Sequence, residues 1–229
     1  MKYHFITFAT DDYMQDAINI CNSSKLSGFD VHRIFTFNDI DPLYKERNSH
    51  ILNHKQGAGF WIWKSYIIMK YLYEIDKDDV VCYCDSLYRF TGKRNIQEIT
   101  QLIDNKHGIF ITRNKPNEPM YSEKQYTKGD AFFLMNRRDE EYYDTPQAWG
   151  GFIIIKNHFI SLQIVTEWFT YVQDERIVTN LPTVIMPNHS DFIENRHDQT
   201  VISIICKKYK IPLVDFPQNF LHNIRVPIP

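Results

Sequence analysis

Three polar side chains stand in this sequence beside runs of apolar residues. Lys64 closes Gly57-Ala58-Gly59-Phe60-Trp61-Ile62-Trp63-Lys64, Asp85 ends Val80-Val81-Cys82-Tyr83-Cys84-Asp85, and Asp198 opens Asp198-Gln199-Thr200-Val201. A lysine at the start of a buried helix offers a point charge to phosphate, aided by free N–H groups and the helix dipole. A carboxylate at a strand end suits a hard divalent cation, which keeps waters for phosphate oxygens to replace. Together these two blocks suit a site for a metal-bound nucleotide diphosphate. Each residue also has a plainer reading. Asp85 could accept backbone hydrogen bonds in a turn, Lys64 could snorkel, Trp61 and Trp63 could be core, and Asp198 could cap its helix.

The elements that must position these residues alternate between strand and helix patterns, the mark of an α/β fold. Tyr3 to Ala9 reads as a first strand, followed by a helix capped by Asp11 or Asp12, with Ala17, Ile20, Cys21 and Ser24 inward and Gly28 closing it. Val31 to Phe37 reads as a second strand, and Asp39 to Ser49 as a short helix and loop. Phe60 to Ile75 is apolar almost all round and reads as a buried helix. Val80 to Cys84, Gly108 to Thr112 and Phe152 to Ile155 read as further strands. Asn95 with Glu98 reads as a capping box before Ile96, Ile99, Leu102 and Ile103. Asn157 to Asp174 and Asp198 to Tyr209 complete the helices, and Ala131 to Asn136 is a short one that Asp130 could cap. The tail from Phe216 reads as irregular. Thr10, Asp85 and Thr112 all fall at strand ends, where open α/β sheets gather ligands.

Composition narrows the function classes. The chain has 229 residues, 43% of them hydrophobic, enough to bury a full core as one domain spanning 1–229. With 26 basic and 28 acidic side chains, it shows no polybasic surface for nucleic acid. Its aromatic fraction of 15% is compatible with stacking on sugars and equally with a tyrosine-rich core. Four scattered cysteines make no disulfide framework and read as buried thiols in a reducing compartment. No stretch reaches the roughly 20 apolar residues of a membrane span, and the opening residues are too polar for a signal peptide, so a cytoplasmic enzyme is expected.

The blocks in order resemble those of bacterial and viral glycosyltransferases of the GT-A fold, the nucleotide-diphospho-sugar transferases. The resemblance rests on the Gly57 to Lys64 and Val80 to Ser86 runs, Tyr126-Thr127-Lys128-Gly129-Asp130-Ala131-Phe132, Gln147-Ala148-Trp149-Gly150-Gly151-Phe152, and Arg196-His197-Asp198-Gln199-Thr200-Val201. It implies a single Rossmann-like GT-A domain with a central mixed, mainly parallel sheet flanked by helices. Asp85 matches the more directly ligating acid of the family's Asp-x-Asp triplet, whose first acid is replaced here in Tyr83-Cys84-Asp85. The resemblance further implies His222 as a second ligand, favouring Mn²⁺ over Mg²⁺ in a mixed oxygen–nitrogen site. Thr10, Trp61, Lys64, Lys128, Asp130 and Gly151 would bind the donor, a UDP-sugar by expectation. Gly129 stands where the family has arginine, and Ser65 where it has proline after Trp-Lys. Asp198 and Gln199 would lie beside the reacting carbon, as in galactosyltransferase-like retaining enzymes, with Arg196 and His197 steering phosphate or acceptor.

The expected activity is metal-dependent transfer of a hexose from a nucleotide diphosphate to a hydroxyl of a glycan or other acceptor, retention being preferred to inversion. Residues 113–128, polar and with two prolines, would close over the donor as a lid. A sugar nucleotidyltransferase would carry a glycine-rich basic turn after the first strand, where this chain has Thr10-Asp11-Asp12. A non-catalytic carbohydrate-binding protein would need neither Asp85 nor Asp198. Sugar, acceptor and oligomeric state leave no mark in the sequence.

Overall fold

Strands buried on both faces build the centre of the molecule. The computed structural model describes residues 1–113, 121–138 and 140–224. Strands β1 (Tyr3–Phe8), β2 (Val31–Phe35), β3 (Val80–Cys84), β5 (Ile109–Thr112), β6 (Phe152–Lys156) and β7 (Leu213–Val214) form one sheet in the order β2-β1-β3-β6-β5-β7. β1 pairs in parallel with β2 and β3, and β5 in parallel with β7. β6 runs antiparallel between β3 and β5. The sheet is therefore mixed and mainly parallel, as expected. β1 and β3 are buried along their whole length, which explains why apolar residues stand on both faces of each, with His4 and Thr7 the buried polar exceptions in β1.

The strand period of two divides the core. Ile6, Phe8, Val81, Tyr83, Ile153 and Ile155 face one layer, packed by helices α2 (Trp63–Glu74), α3 (Phe159–Tyr171) and α4 (Asp198–Tyr209). Tyr3, Phe5, Val80, Cys82, Cys84, Phe152 and Ile154 face the other, with Ile20 and Cys21 of α1 (Met14–Ser24). α1 turns inward the stripe read from sequence, Ala17, Ile20, Cys21 and Ser24, and Gly28 takes the left-handed φ of 80° just after it. All four cysteines are free and buried. Among the described residues, no helix is long and apolar enough to cross a membrane.

Several local expectations are corrected. Asp11 and Asp12 lie in a 3₁₀ turn, and α1 starts at Met14 with no side-chain cap. The buried helix expected from Phe60 begins at Trp63, because Gly57 to Trp61 all have positive φ. The helix expected from Asn157 to Asp174 begins at Phe159, where His158 makes the cap, and ends at Tyr171. The Asn95–Glu98 capping box is present, but its helix stops at Thr100 and leaves Leu102 exposed. The tail is not irregular throughout: β8 (Leu221–Asn223) pairs antiparallel with β4 (Tyr88–Phe90), covering the layer around Phe90 and Phe220. Of the expected lid, 114–120 lie outside the described residues. Its C-terminal part folds into a helical turn, Glu123–Tyr126, with Glu123 fully buried against Thr127, Ser203 and Lys207.

Candidate active site

Two turns of unusual backbone bring the polar residues together. Gly57, Ala58, Gly59, Phe60 and Trp61 have φ of 56°, 50°, 93°, 52° and 61° in succession, a short left-handed run. Each L-residue in that conformation costs about 1–2 kcal/mol, so packing must hold the run in place. The Trp63 indole N–H donates to Gly57 O at 3.0 Å, and a Cβ on Gly59 would meet the Leu52 backbone at 2.6 Å. Trp63 stacks on Phe8 of β1 at 3.8 Å between ring centroids and is a buried ring that also lines the larger of two clefts, while Trp61 lines both. The run ends where α2 begins, and the helix carries Lys64 inward.

Lys64 is 3% exposed, yet it is surrounded by oxygen. Its Nζ donates to Gly150 O at 3.1 Å and lies 3.2 Å from Asp198 Oδ2 and 3.5 Å from Asp85 Oδ1. Burial pulls its pKa down, but the two carboxylates outweigh burial and raise it, so it stays charged. Asp198, 3% exposed at the first position of α4, feels the reverse. Burial pushes its pKa up to about 7 against the pull of Lys64, with the Asp85 charge adding to the rise. The 3.2 Å approach of Lys64 to Asp198 Oδ2 is an ion pair without hydrogen-bond alignment. That oxygen is buried and accepts no hydrogen bond from the described residues.

Asp85 follows the last residue of β3, and the side-chain period places Tyr83 beside it. Tyr83 donates its hydroxyl to Asp85 Oδ1 at 2.7 Å, and burial, with Asp85 next to it, keeps that phenol protonated. The Asp85 N–H donates to Gly151 O at 2.9 Å. A Cβ on Gly151 would stand 2.6 Å from Asp85 Oδ2 and 2.5 Å from the Trp149 indole nitrogen, so this position needs glycine for close approach. Gln199 spans the same turn: Gly150 N–H donates to its Oε1 at 3.1 Å, and its Nε2 donates to Gln147 Oε1 at 2.7 Å.

His197 precedes Asp198 with φ of 58° and ψ of −121°. Its Nδ1–H donates to Val178 O at 2.7 Å, leaving Nε2 to accept from the Gln56 amide at 2.9 Å. The ring lies on Trp61 at 5.5 Å between centroids. Burial pulls its pKa down to about 4, so it is neutral at ordinary pH.

Two cavities meet here. One, of about 720 Å³, is lined by Thr10, Asp12, Tyr13, Lys55, Gly57, Ala58 and Ser86 among others. The second, of about 160 Å³, is lined by Gln56, Lys64, Trp149, Gly151, Glu194, Arg196, His197, Asp198 and Gln199 among others. Trp61 and Asp85 belong to both walls. The structure thus gathers Thr10, Trp61, Lys64, Asp85, Gly151, Asp198 and Gln199.

Three other expected residues are placed elsewhere. Asp130 is fully buried and accepts the N–H groups of Val184, Ile185 and Met186 at 2.8–2.9 Å. Burial alone would raise its pKa, but these three bonds hold it below the usual carboxylate range. Its oxygens are committed to ordering the 184–186 loop rather than to a ligand. Lys128 reaches Thr179 O at 3.4 Å. His222 stands opposite Arg89 in the β4–β8 pair and lines neither cavity. Among the described residues no three His, Cys, Asp or Glu side chains group as a metal centre. Sequence reasoning passed over Tyr83 and Gln56. Tyr83 carried a signal, a hydroxyl two residues before Asp85 on the same strand; Gln56 carried none.

No family model matches this chain, and no curated protein sequence matches it. Its fold is similar to that of the glycosyltransferase GlyE of Streptococcus pneumoniae TIGR4, with a TM-score of 0.51 and 12% identity over 95% of this chain and 45% of that one. Mouse xyloside xylosyltransferase 1 gives a TM-score of 0.49 at 11% identity, over 94% of this chain and 85% of that one. A glycosyltransferase involved in the glycosylation of the major capsid of PBCV-1 gives 0.43 at 11% identity, over 74% and 66%. The chain spans less than half the length of the pneumococcal protein. At these identities the likeness concerns the fold alone, a mixed α/β sheet of the GT-A type.

Proposed function

We propose that this protein is a glycosyltransferase that moves a hexose from a nucleotide diphosphate, UDP by first choice, to a hydroxyl of a glycan or other acceptor. The observation that carries this reading is the junction of two cavities at Asp85 and Trp61, with the buried Lys64–Asp198 pair at the same point. The larger cavity has the size of a nucleotide site, within the usual 300–1,000 Å³ or so of ligand pockets. The smaller would admit the acceptor hydroxyl.

Asp85 Oδ2 accepts no hydrogen bond among the described residues, and its side chain is one-third exposed at the junction. That arrangement fits a hard cation which takes its other ligands from phosphate and water, not a closed protein site. Mn²⁺ or Mg²⁺ held there would neutralise diphosphate charge. In the transfer the bond from anomeric carbon to phosphate oxygen breaks, its electron pair leaves on the diphosphate, and the acceptor oxygen bonds the carbon. Lys64 keeps Asp198 in place next to that carbon, while Gln199 and Gly150 fix the turn around it. Retention is the proposed outcome, on the Asp198-Gln199 pair, with the acceptor proton passing to the departing phosphate oxygen. A pKa of about 7 also suits a general base. An inverted product would assign Asp198 that role.

Calorimetric titration of UDP with and without Mn²⁺, followed by measurement of UDP release from UDP-hexoses, tests the proposal. Binding of glycans with no binding of any nucleotide would replace it with the carbohydrate-binding reading. The product anomer, read by NMR, decides retention against inversion.

A further inference from the structure

We infer that Lys55, not Lys64, is the side chain that presents positive charge to the diphosphate. The inference rests on the nucleotide-sugar reading of the larger cavity. Three cations line the two cavities, Lys55, Lys64 and Arg196. Lys64 is already shared by Asp85 and Asp198, so that cluster carries no net positive charge to offer a diphosphate. Arg196 pairs with Glu194 at 2.9 Å and lies over Tyr121 and Tyr126 at 4.8 and 4.7 Å. Lys55 forms no ion pair with any described carboxylate, and among the lining residues of the larger cavity it is the single cation.

The backbone around Lys55 is fixed while its side chain is exposed. Its carbonyl accepts the Ala58 N–H at 3.1 Å, and the preceding carbonyl of His54 accepts the Gly59 N–H at 2.8 Å. On the other side, the Gln56 amide bridges His197 and Asn180, at 2.9 and 2.7 Å. The left-handed run holds His54, and His197 and Asn180 hold Gln56, so the root of Lys55 is set at the cavity wall. A flexible ammonium on a fixed root serves as a point charge for phosphate oxygens whose positions shift as the leaving group departs.

The test compares wild type, Lys55→Gln and Lys55→Arg in titrations with UDP and with uridine, in Mn²⁺ at low and high salt. Lys55→Gln should bind UDP about tenfold more weakly at low salt, the effect of one close charge in a solvated cleft. Uridine affinity should not change, and the salt dependence of UDP binding should fall. Lys55→Arg should recover most of the affinity, and the melting temperatures should agree, since the side chain is exposed. Unchanged UDP affinity in Lys55→Gln, with wild type binding UDP, overturns the assignment and leaves the proposed function standing. Equal loss for UDP and uridine also overturns it, by showing a general rather than a phosphate-directed effect. If wild type does not bind UDP, the UDP-sugar reading itself falls and this assignment falls with it.

Discussion

Lys64 Nζ lies 3.2 Å from Asp198 Oδ2, joining the first turn of α2 to the first turn of α4 across 134 positions of sequence, with both side chains removed from solvent. A buried pair of this kind is costly to break and cheap to replace whole. Losing one partner strands a charge, at roughly 3–5 kcal/mol, whereas removing both is often close to neutral. Lys64→Met should therefore lower stability by several kcal/mol, and Lys64→Met with Asp198→Asn should recover most of that loss. Urea denaturation of the three proteins checks this. A double variant no more stable than Lys64→Met would mean that the contacts of Lys64 with Gly150 and Asp85, not its pairing with Asp198, supply the stability.

Asp198→Asn alone should abolish sugar transfer and leave UDP affinity within a few-fold of wild type. The carboxylate lines the smaller cavity and not the larger one. An interaction made mainly in the transition state lowers kcat with little change in ground-state binding. UDP titration and turnover on one preparation supply both quantities. Equal losses in binding and turnover would place Asp198 in the donor site instead.

His197 should make the fold acid-sensitive. Its folded pKa is about 4, below the 6.5 of a free imidazole, because burial disfavours the charged ring. Below pH 6.5 the unfolded chain takes up a proton that the folded chain refuses, so stability falls as pH drops from about 6.5 to 4. Asp198 contributes the opposite slope, since its raised pKa makes the folded state the better proton binder between about 4 and 7. The difference between wild type and His197→Gln isolates the histidine. That difference should narrow by about 3 kcal/mol from pH 7 to pH 4, using 1.36 kcal/mol per pKa unit. Denaturant melts at a series of pH values give the curve, and a constant difference would rule the histidine out as its source.

Gly151→Ala should weaken UDP and Mn²⁺ binding more than it weakens the fold. The new methyl would press on Asp85 Oδ2 and the Trp149 indole, both at the rim of the site. Overpacking of this sort costs about 1–3 kcal/mol of stability. Thermal melting and calorimetry separate the two effects. A variant with lowered melting temperature and intact UDP binding would show that Trp149 alone gives way.

The sheet was legible in sequence because long apolar runs report strands buried on both faces. Tyr3 to Phe8, Val80 to Cys84 and Phe152 to Lys156 all fell where those runs stood. Asp198–Tyr209 was legible because an acid at its start and Val201, Ile202, Ile204 and Ile205 inward fix both its beginning and its face. The short strands were not. Tyr88–Phe90 and Leu221–Asn223 acquire their structure from each other across more than a hundred residues, and three-residue segments carry no period. Asp130 misled for a related reason. A local cap and a distant loop compete for the same oxygens, and the Val184 to Met186 amides win, which spacing around position 130 cannot reveal. The left-handed run was half visible. Gly57 and Gly59 announce a turn, but Ala58, Phe60 and Trp61 are residue types that ordinarily decline that conformation.

Trp61 is a partition between two rooms, and that limits how the protein can diverge. Any change in the indole alters both compartments at once, so a variant selected for a different occupant on one side inherits a changed fit on the other. Asp85 is shared in the same way, so exchanging it would also alter both compartments. Independent adjustment is left to residues that line one side only, such as Tyr13 in the larger compartment and Gln56 in the smaller. Relatives that differ in one preference but not the other should carry their substitutions at such positions, with the tryptophan between them retained.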